Sequence, residues 1–318
     1  MNDLLGARLH FCPALAVPSQ LTMQSDSRNF SAKLLLFGEH VLLLGATALA
    51  VPLTAFSGKW AWKKQKDGYF NKMMDFAQSP VLGEIPGLDV HAFQKDLNEG
   101  MYFEANIPTG YGLGSSGAFC AAVYHRYMTE PESDPALLKM QLSRMESFFH
   151  GNSSGIDPLT SYLGKPVVIQ QKTQVSIAQQ ASWAGNAPLV FLLDSTLPRK
   201  SQPLIDWFLQ QRQTPVFERF LQEGYLPAHE ALINAWLEAD SGAFWTNLRT
   251  ISALQRAYFA PMVPSTVEKV WDESLEHGQF TFKICGAGGG GFVLGFTHNQ
   301  ESLHTLTQGF KLHFPLER

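Results

Sequence analysis

The feature that most constrains this chain is a glycine-rich stretch at residues 107–118, with the sequence IPTGYGLGSSGA. It stands between a strand-like run at 101–106 and a helix-like run at 119–124. Glycine lets the backbone adopt φ > 0 and pass close to a ligand, and Ser115 or Ser116 can cap the following helix. Because a helix N-terminus presents unpaired N–H groups and a partial positive charge, anions bind there. The stretch therefore indicates either a phosphate-binding loop or an ordinary turn between a strand and a helix.

Composition excludes several classes of protein. The 318 residues suffice for about two domains, and 45% hydrophobic with 16% charged residues are typical of a soluble chain with a large core. A formal net charge of −4, without a Lys/Arg block, argues against nucleic-acid or membrane partners. The distant cysteines Cys12, Cys120 and Cys285 lack metal-ligand spacing and favour a reducing, cytoplasmic location. No apolar run is long enough to cross a bilayer.

Residues 1–23 differ in character from the rest of the sequence. Their apolar run at 11–17 is short, is interrupted by Pro13 and has only Arg8 as a positive flank, which is not typical of a signal peptide. We expect a loose N-terminal extension, or a start assigned too early, ahead of the first organised segment.

Charged residues interrupt an apolar region near the start of the chain. Apolar runs within residues 32–53 predict buried strands around a turn, with residues 41–44 resuming the strand pattern. Lys33, Glu39 and His40 lie within this region. Because buried charges are expensive, these side chains need partners or water, so the region is either a polar turn or part of a functional site.

A capped helix and a second small-residue loop follow the glycine-rich stretch. Asp134 as N-cap, followed by a proline, predicts a helix that runs to about residue 149 with an apolar stripe. Glu146 lies on the polar stripe of this helix. The loop that follows ends at Asp157, which precedes a proline and could simply cap the next helix.

The second half of the chain contains another glycine run. Strands are predicted at 188–193, 281–285 and 292–296, with helices between the first two. A polar turn with two cations follows the first of these strands at 194–201, and the sequence GAGGGG at 286–291 separates the other two. This run predicts a tight turn, with or without a ligand contact.

Neither common nucleotide-binding loop fits. Two triplets match the dinucleotide pattern G-x-G-x-x-G: Gly112, Gly114, Gly117 and Gly286, Gly288, Gly291. The second triplet precedes a strand, and the first follows a proline and lacks clear βαβ units on both sides. A Walker A loop needs a lysine, which the glycine-rich stretch lacks.

Three other patterns occur in order along the chain. They are K-x4-G-E-H at 33–40, P-x3-G-L-G-S-S at 108–116 and K-x2-G-A-G-G-G-G at 283–291. Together they resemble the GHMP kinase superfamily, which contains galactokinase, homoserine kinase, mevalonate kinase and phosphomevalonate kinase. The sequence is most similar to the mevalonate kinase family, through the segments 146–157 and 194–201.

The chain departs from the family pattern at several positions. Ser153 replaces a proline, Tyr111 and Gly117 replace alanines, and Ser195 and Ser201 replace threonines. The sugar-reading Thr-Asp-Tyr that follows Gly-Glu-His in galactokinases is also absent. These departures leave the kinase chemistry intact and bear on the identity of the acceptor.

The resemblance implies an α/β (α+β) fold in two domains, with the active site in the cleft between them. The N-terminal ATP-binding domain, of the ribosomal-protein-S5-domain-2-like type, would span residues 24–180. A ferredoxin-like C-terminal domain would span residues 181–318.

The resemblance also implies roles for individual residues. ATP and Mg²⁺ would be the cofactors, with Ser116 and Glu146 as metal ligands. Asp157 would be the general base, and Lys33 would stabilise the alkoxide of the acceptor. The ATP phosphates would be held by Pro108, Gly110, Tyr111, Gly112, Leu113, Gly114, Ser115, Ser116 and Gly117. The acceptor would be bound by Glu39, His40, Arg199, Ser201 and Gly288.

These roles imply ATP-dependent phosphorylation of a hydroxyl group on a small molecule. The first choice of acceptor is mevalonate, which would be converted to 5-phosphomevalonate in isoprenoid biosynthesis. Another acceptor, such as a sugar, a sugar phosphate, homoserine or phosphomevalonate, is the first alternative. A non-catalytic metabolite-binding homologue and a dinucleotide oxidoreductase are the others. We expect a small-molecule substrate, no nucleic-acid or membrane partner, and a monomer or homodimer.

Overall fold

A computed structural model describes residues 28–62, 68–199 and 201–316. The predicted N-terminal extension at 1–23 lies outside these residues. The described chain forms two antiparallel sheets, each covered by helices. This arrangement is the predicted two-domain α/β fold.

The first sheet contains five strands from the first part of the chain: β1 (Phe30–Phe37), β2 (Ala48–Trp62), β3 (Met101–Ala105), β4 (Val167–Gln170) and β5 (Gln174–Ile177). The strand order is β1-β2-β4-β5, and β3 pairs with the far end of β2. Seven of the eight residues of β1 are buried, as expected from its apolar sequence. Lys33 is one of them and lies opposite Pro52 in the register.

The predicted strand at residues 41–44 is wrong, because Val41–Leu44 forms one turn of 3-10 helix. His40 before it and Gly45 after it both have positive φ, of 60° and 92°, so the chain turns at each end. Only Val41 of the four residues is buried. Apolar content alone indicated a strand, whereas the backbone reversals at both ends leave no room for extended pairing.

Six helices accompany the first sheet: α1 (Gly68–Ala77), α2 (Pro80–Gly83), α3 (Val90–Asn98), α4 (Ser115–Tyr127), α5 (Pro135–His150) and α6 (Ile156–Leu163). The Asp134 side chain caps α5 by accepting from two backbone N–H groups, as predicted. Helix α4 is rich in small residues, which lets it pack between the sheet and α6 with almost no exposed surface. The glycine-rich stretch therefore leads from β3 into a buried helix.

The second sheet has the strands β6 (Leu189–Asp194), β7 (Phe280–Ile284), β8 (Phe292–Thr297) and β9 (Leu312–His313). The strand order is β7-β8-β6-β9, with antiparallel pairing throughout. Helices follow the first and third of these strands, so the chain order is β-α-β-β-α-β, which is the ferredoxin-like arrangement. This confirms the predicted fold class of the second half.

The remaining helices are α7 (Ser201–Gln211), α8 (Pro215–Phe220), α9 (Leu226–Glu238), α10 (Ser241–Tyr258), α11 (Glu268–His277) and α12 (His304–Thr307). Leu221–Tyr225 is a π-helical turn that joins α8 to α9, and Ala260–Met262 and Glu301–Leu303 are 3-10 turns. Within the described residues, no helix combines the length and the apolar character that a membrane span requires.

A buried ion pair joins the two sheets. Lys283 Nζ, in β7, lies 2.6 Å from Glu39 Oε1, in the turn after β1, and both side chains are 2% exposed. Close by, Thr47 N donates to Glu230 Oε1 at 2.9 Å, and the Thr47 carbonyl oxygen lies 2.8 Å from His229 Nε2. The predicted boundary at residue 180/181 lies in the segment between β5 and β6, and it stays a prediction.

We predict that Lys283→Met destabilises the protein by about 3–5 kcal/mol, because it leaves the Glu39 carboxylate buried without its cation. Urea unfolding followed by tryptophan fluorescence measures this loss. The double variant Glu39→Gln/Lys283→Met should recover part of it, since no charge then remains buried. Lys269→Met is the matched control, because that side chain is 91% exposed and its loss should change the midpoint little. Equal midpoints for Lys283→Met and the control would contradict the prediction.

Candidate active site

A cavity of about 610 Å³ opens beside the glycine-rich stretch and reaches the second sheet. Its lining includes β1 through Lys33, residues 108–110 and 112–116 of the glycine-rich stretch, and α6 through Asp157. Arg199, Ser201 and Gly286 contribute from the second half of the chain. Both domains therefore supply residues to one pocket.

An ion pair between Lys33 and Asp157 lies on the wall of this cavity. Lys33 Nζ is 2.5 Å from Asp157 Oδ1, and the side chains are 10% and 25% exposed, respectively. Lys33 comes from the middle of β1, and Asp157 from the first turn of α6. The carboxylate is thus held beside a cation and remains open to the cavity.

The loop that precedes α4 is built from left-handed glycines. Gly110, Gly112 and Gly114 have φ values of 83°, 71° and 74°. Such values disfavour residues with a side chain, which explains the glycine content. The Leu113 carbonyl accepts from Lys33 N at 2.9 Å, so the loop is fixed to β1 at this point.

Gly117 allows α4 to lie directly against the start of α6. A Cβ atom at position 117 would be 2.7 Å from the Cβ of Asp157 and 2.7 Å from Pro158 N. The first turns of both helices therefore meet next to the Asp157 side chain. Two helix N-termini at one point create a positive electrostatic environment that suits phosphate.

Glu146 is a buried carboxylate next to this point. Its Oε1 accepts from Ser116 Oγ at 3.1 Å and its Oε2 accepts a short hydrogen bond from Ser153 Oγ. The side chain makes no ion pair with the described residues. Burial, together with the negative charge of Asp157, raises the pKa of Glu146 to about 7. His150 Nε2 lies 2.9 Å from the same Ser116 hydroxyl.

The donor set around Glu146 fits Mg²⁺. Ser116 Oγ and the Glu146 carboxylate supply two neighbouring oxygens, and Mg²⁺ commonly takes one or two protein oxygens together with water and phosphate. No group of three or more His, Cys, Asp or Glu side chains in the described part of the chain is arranged to hold a metal by itself. Burial outweighs the opposing effects of Lys33 and of the two hydroxyl groups, so the pKa of Glu146 is raised, and a bound cation would favour its charged form.

Arg199 occupies space that two glycines leave open. A Cβ on Gly112 would lie 1.8 Å from an Arg199 guanidinium nitrogen, and a Cβ on Gly286 would lie 2.6 Å from another. The guanidinium therefore sits between the two glycine loops and on the cavity wall. Within the described residues it forms no ion pair, so it remains available to an anionic ligand.

Three residues with predicted acceptor contacts do not line the cavity. Glu39 is buried in the ion pair with Lys283. Gly288 packs against the Ala260–Met262 turn, where a Cβ would lie 2.5 Å from Met262 O. His40 Nε2 is 3.1 Å from Ala287 O, and burial lowers the pKa of His40 to about 4, so its ring stays neutral near pH 7. The structure places Glu39 and His40 in the contact between the domains, whereas Gly288 packs against Met262 and Ile284 within the second domain.

Tyr111 and Gly117 also lie outside the cavity lining, although they belong to the loop and to the first turn of α4. Gly117 faces α6, as described above. The Tyr111 ring packs against Phe292, with ring centroids 4.7 Å apart. Pro108, Gly110, Gly112, Leu113, Gly114, Ser115 and Ser116 do line the cavity.

The sequence did not reveal one wall of the cavity. Lys72 and Met73 from α1, Phe119 from α4, and Phe149 and His150 from the end of α5 complete the lining. His150 was within reach of sequence reasoning, because it lies one helical turn after Glu146. Nothing in the local sequence marks the other four, since an amphipathic helix and a buried aromatic are features of any core.

Residues 72–165 match the family model "GHMP kinases N terminal domain". The match spans the glycine-rich stretch, Glu146 and Asp157. No curated protein sequence matches the chain significantly.

Solved structures with the same fold cover nearly the whole chain. An L. major mevalonate kinase in complex with R-mevalonate matches with a TM-score of 0.64 and 15% identity, over 90% of this chain and 92% of that one. A Streptococcus pneumoniae phosphomevalonate kinase in complex with phosphomevalonate and AMPPNP gives 0.64 and 16%, over 90% and 97%. The Methanococcus jannaschii mevalonate kinase gives 0.61 and 15%, over 92% and 98%.

At these identities the structures establish the fold, and the family model establishes the domain that carries the glycine-rich stretch. Both agree with the resemblance seen in the sequence motifs. The chain therefore carries a GHMP kinase N-terminal domain within the two-domain fold of that superfamily.

Proposed function

We propose that this protein is an ATP-dependent kinase that phosphorylates a hydroxyl group of a small anionic molecule, with mevalonate as the first choice. The observation that carries the proposal is the Lys33–Asp157 pair, which lies where two helix N-termini meet beside a glycine loop. Phosphoryl transfer depends on positioning and on charge neutralisation, and this arrangement supplies both.

The glycine loop and the first turn of α4 would hold the ATP phosphates. No side chain caps the start of this helix, and Gly114, Ser115 and Ser116 line the cavity there. The apolar wall formed by Met73, Phe119 and Phe149 suits the less polar part of a nucleotide.

Asp157 would accept the proton of the acceptor hydroxyl, because its carboxylate faces the cavity and is held in place by the ion pair. Lys33 Nζ would then stabilise the negative charge that develops on the attacking oxygen. Ser116 and Glu146 would hold Mg²⁺, which, when bound, neutralises charge on the phosphate oxygens. Lys33, Asp157 and Ser116 line one cavity, and Glu146 contacts it through its hydrogen bond with Ser116 Oγ, which supports this assignment of roles.

Arg199 favours an anionic acceptor. It is an unpaired cation within the described residues and lies on the side of the cavity formed by the second domain. A carboxylate matches the fork of a guanidinium, and mevalonate carries one. A phosphorylated acceptor such as phosphomevalonate has the same charge sign, so acceptor choice has to be measured directly.

Two alternatives predict different behaviour. A dinucleotide-binding protein requires the glycine loop within a parallel βαβ unit, whereas β3 pairs antiparallel with β2 here. A non-catalytic metabolite-binding homologue would give no ADP release with any acceptor. The predicted cytoplasmic location and the monomer or homodimer state stay predictions.

The proposed function is tested with a panel of acceptors and Mg·ATP, followed by coupled ADP release. We expect the highest kcat/KM with mevalonate among mevalonate, phosphomevalonate, homoserine and galactose. Arg199→Gln should raise the KM for mevalonate at least about tenfold and the KM for ATP much less, because one charge-assisted contact is lost. The KM for mevalonate of Arg199→Lys should fall between that of the wild type and that of Arg199→Gln. A larger change in the KM for ATP would instead place Arg199 on the nucleotide.

Asp157→Asn should lower kcat by roughly 10²–10⁴-fold, because the amide cannot accept the hydroxyl proton. ATP binding, measured by calorimetry, should change little. Asp206→Asn is the matched control, since that exposed carboxylate lies outside the cavity lining. A kcat near the wild-type value would remove Asp157 from the role of base.

Glu146→Gln should raise the Mg²⁺ concentration needed for half-maximal rate at least about tenfold, because a charged oxygen ligand is replaced by a neutral one. Nucleotide binding titrated at several Mg²⁺ concentrations gives a second readout that does not need turnover. Glu130→Gln, at an exposed position, serves as the control. An unaltered Mg²⁺ dependence in both measurements would contradict the metal assignment.

A further inference from the structure

We propose that Tyr111 is a positioning residue that anchors the phosphate-binding loop of the first domain to the second domain. The proposal rests on the proposed function, because it concerns how the loop is presented to a nucleotide. Tyr111 lies between Gly110 and Gly112 in the middle of the loop, so its role has to come from its own contacts.

Tyr111 contacts the ends of two paired strands in the second sheet. Its ring centroid is 4.7 Å from that of Phe292, at an interplanar angle of 51°. Its hydroxyl lies 3.4 Å and 3.5 Å from the two carboxylate oxygens of Asp194. Phe292 begins β8, Asp194 ends β6, and these two residues face each other in the register. The tyrosine therefore meets a rigid part of the second domain.

The rest of the loop has few side-chain contacts. Thr109, Gly110 and Gly112 are exposed, and a Cβ on Gly110 would meet nothing within 4 Å. Leu113 is buried and fixes the end of the loop to β1. Among residues 109–112, Tyr111 is the one that is partly buried, so its ring is the side chain that restrains the middle of the loop.

Such an anchor would act on nucleotide binding more than on the chemical step. Left-handed glycines on both sides of Tyr111 give the loop many accessible conformations, and restraining it in the binding conformation reduces the entropy lost on binding. Lys33 and Asp157 are positioned by β1 and α6, independently of Tyr111. Loss of the anchor should therefore change the KM for ATP before it changes kcat.

The experiment compares Tyr111→Ala and Tyr111→Phe with the wild-type protein. Tyr111→Ala should raise the KM for ATP about tenfold, with a smaller change in kcat and in the KM for the acceptor, since it removes preorganisation of the loop. Tyr111→Phe keeps the ring on Phe292 and should give a smaller rise. Tyr258→Ala is the matched control, because that tyrosine stacks on Phe220, away from the cavity.

Amide hydrogen exchange of the ligand-free protein provides a readout that does not depend on turnover. Residues 109–113 should exchange faster in Tyr111→Ala than in the wild type, and Asp194→Asn should give a partial increase. Unchanged exchange rates in Tyr111→Ala would overturn the role of Tyr111 as an anchor. A fall in kcat of the same size as the rises in the KM for ATP and for the acceptor would also overturn it. Absence of ATP turnover in the wild type would instead refute the proposed function, and the exchange result would still decide the role of Tyr111.

Discussion

The close contact between the starts of α4 and α6 is the constraint on which the candidate site depends. With a side chain at position 117, the backbone at Pro158 could not lie where it does. The contact brings Asp157 next to the loop that precedes α4, and the bond from Lys33 N to Leu113 O holds β1 at the same place. Three segments that are far apart in sequence are thereby fixed around one carboxylate. The missing Cβ atom at Gly117 is what allows the two helix starts to meet at one point, where their partial positive charges add.

The two buried glutamates, Glu39 and Glu146, have different partners. Glu39 forms a buried ion pair with Lys283, so it serves the contact between the domains. Glu146 is hydrogen-bonded by hydroxyl groups and by no cation in the described residues, and its pKa is raised to about 7. Since burial is expensive for a carboxylate without an ion-pair partner, a cation that arrives with the ligand would stabilise the charged form of Glu146. The burial of Glu146 without an ion-pair partner in the described residues supports its assignment as a metal ligand.

The sequence predicted the local features and missed those set by distant partners. The glycine loop before α4, the Asp134 cap and the second-half strands follow from periodicity and from residues next to each other. The strand at 41–44 failed because apolar content does not distinguish a strand from a turn bounded by positive-φ residues. The ion pair of Glu39 with Lys283 was not predicted, because the two residues lie 244 positions apart and no local signal pairs them. For the same reason, the sequence did not predict the contacts of Tyr111 with Phe292 and Asp194, which belong to the other domain.

Contacts between the domains explain why the site needs both halves of the chain. The first domain contains the glycine loop, the Lys33–Asp157 ion pair and Glu146, to which the proposed function assigns phosphate binding, proton transfer and metal binding. The second domain brings Arg199 into the gap between Gly112 and Gly286, and it receives Tyr111 on the ends of β6 and β8. A change in the angle between the domains would therefore alter the position of Arg199 beside Gly112 and the contact of Tyr111 with Phe292 together. Under the proposed function, binding of the acceptor by Arg199 and the position of the loop at Tyr111 would then depend on the same angle between the domains.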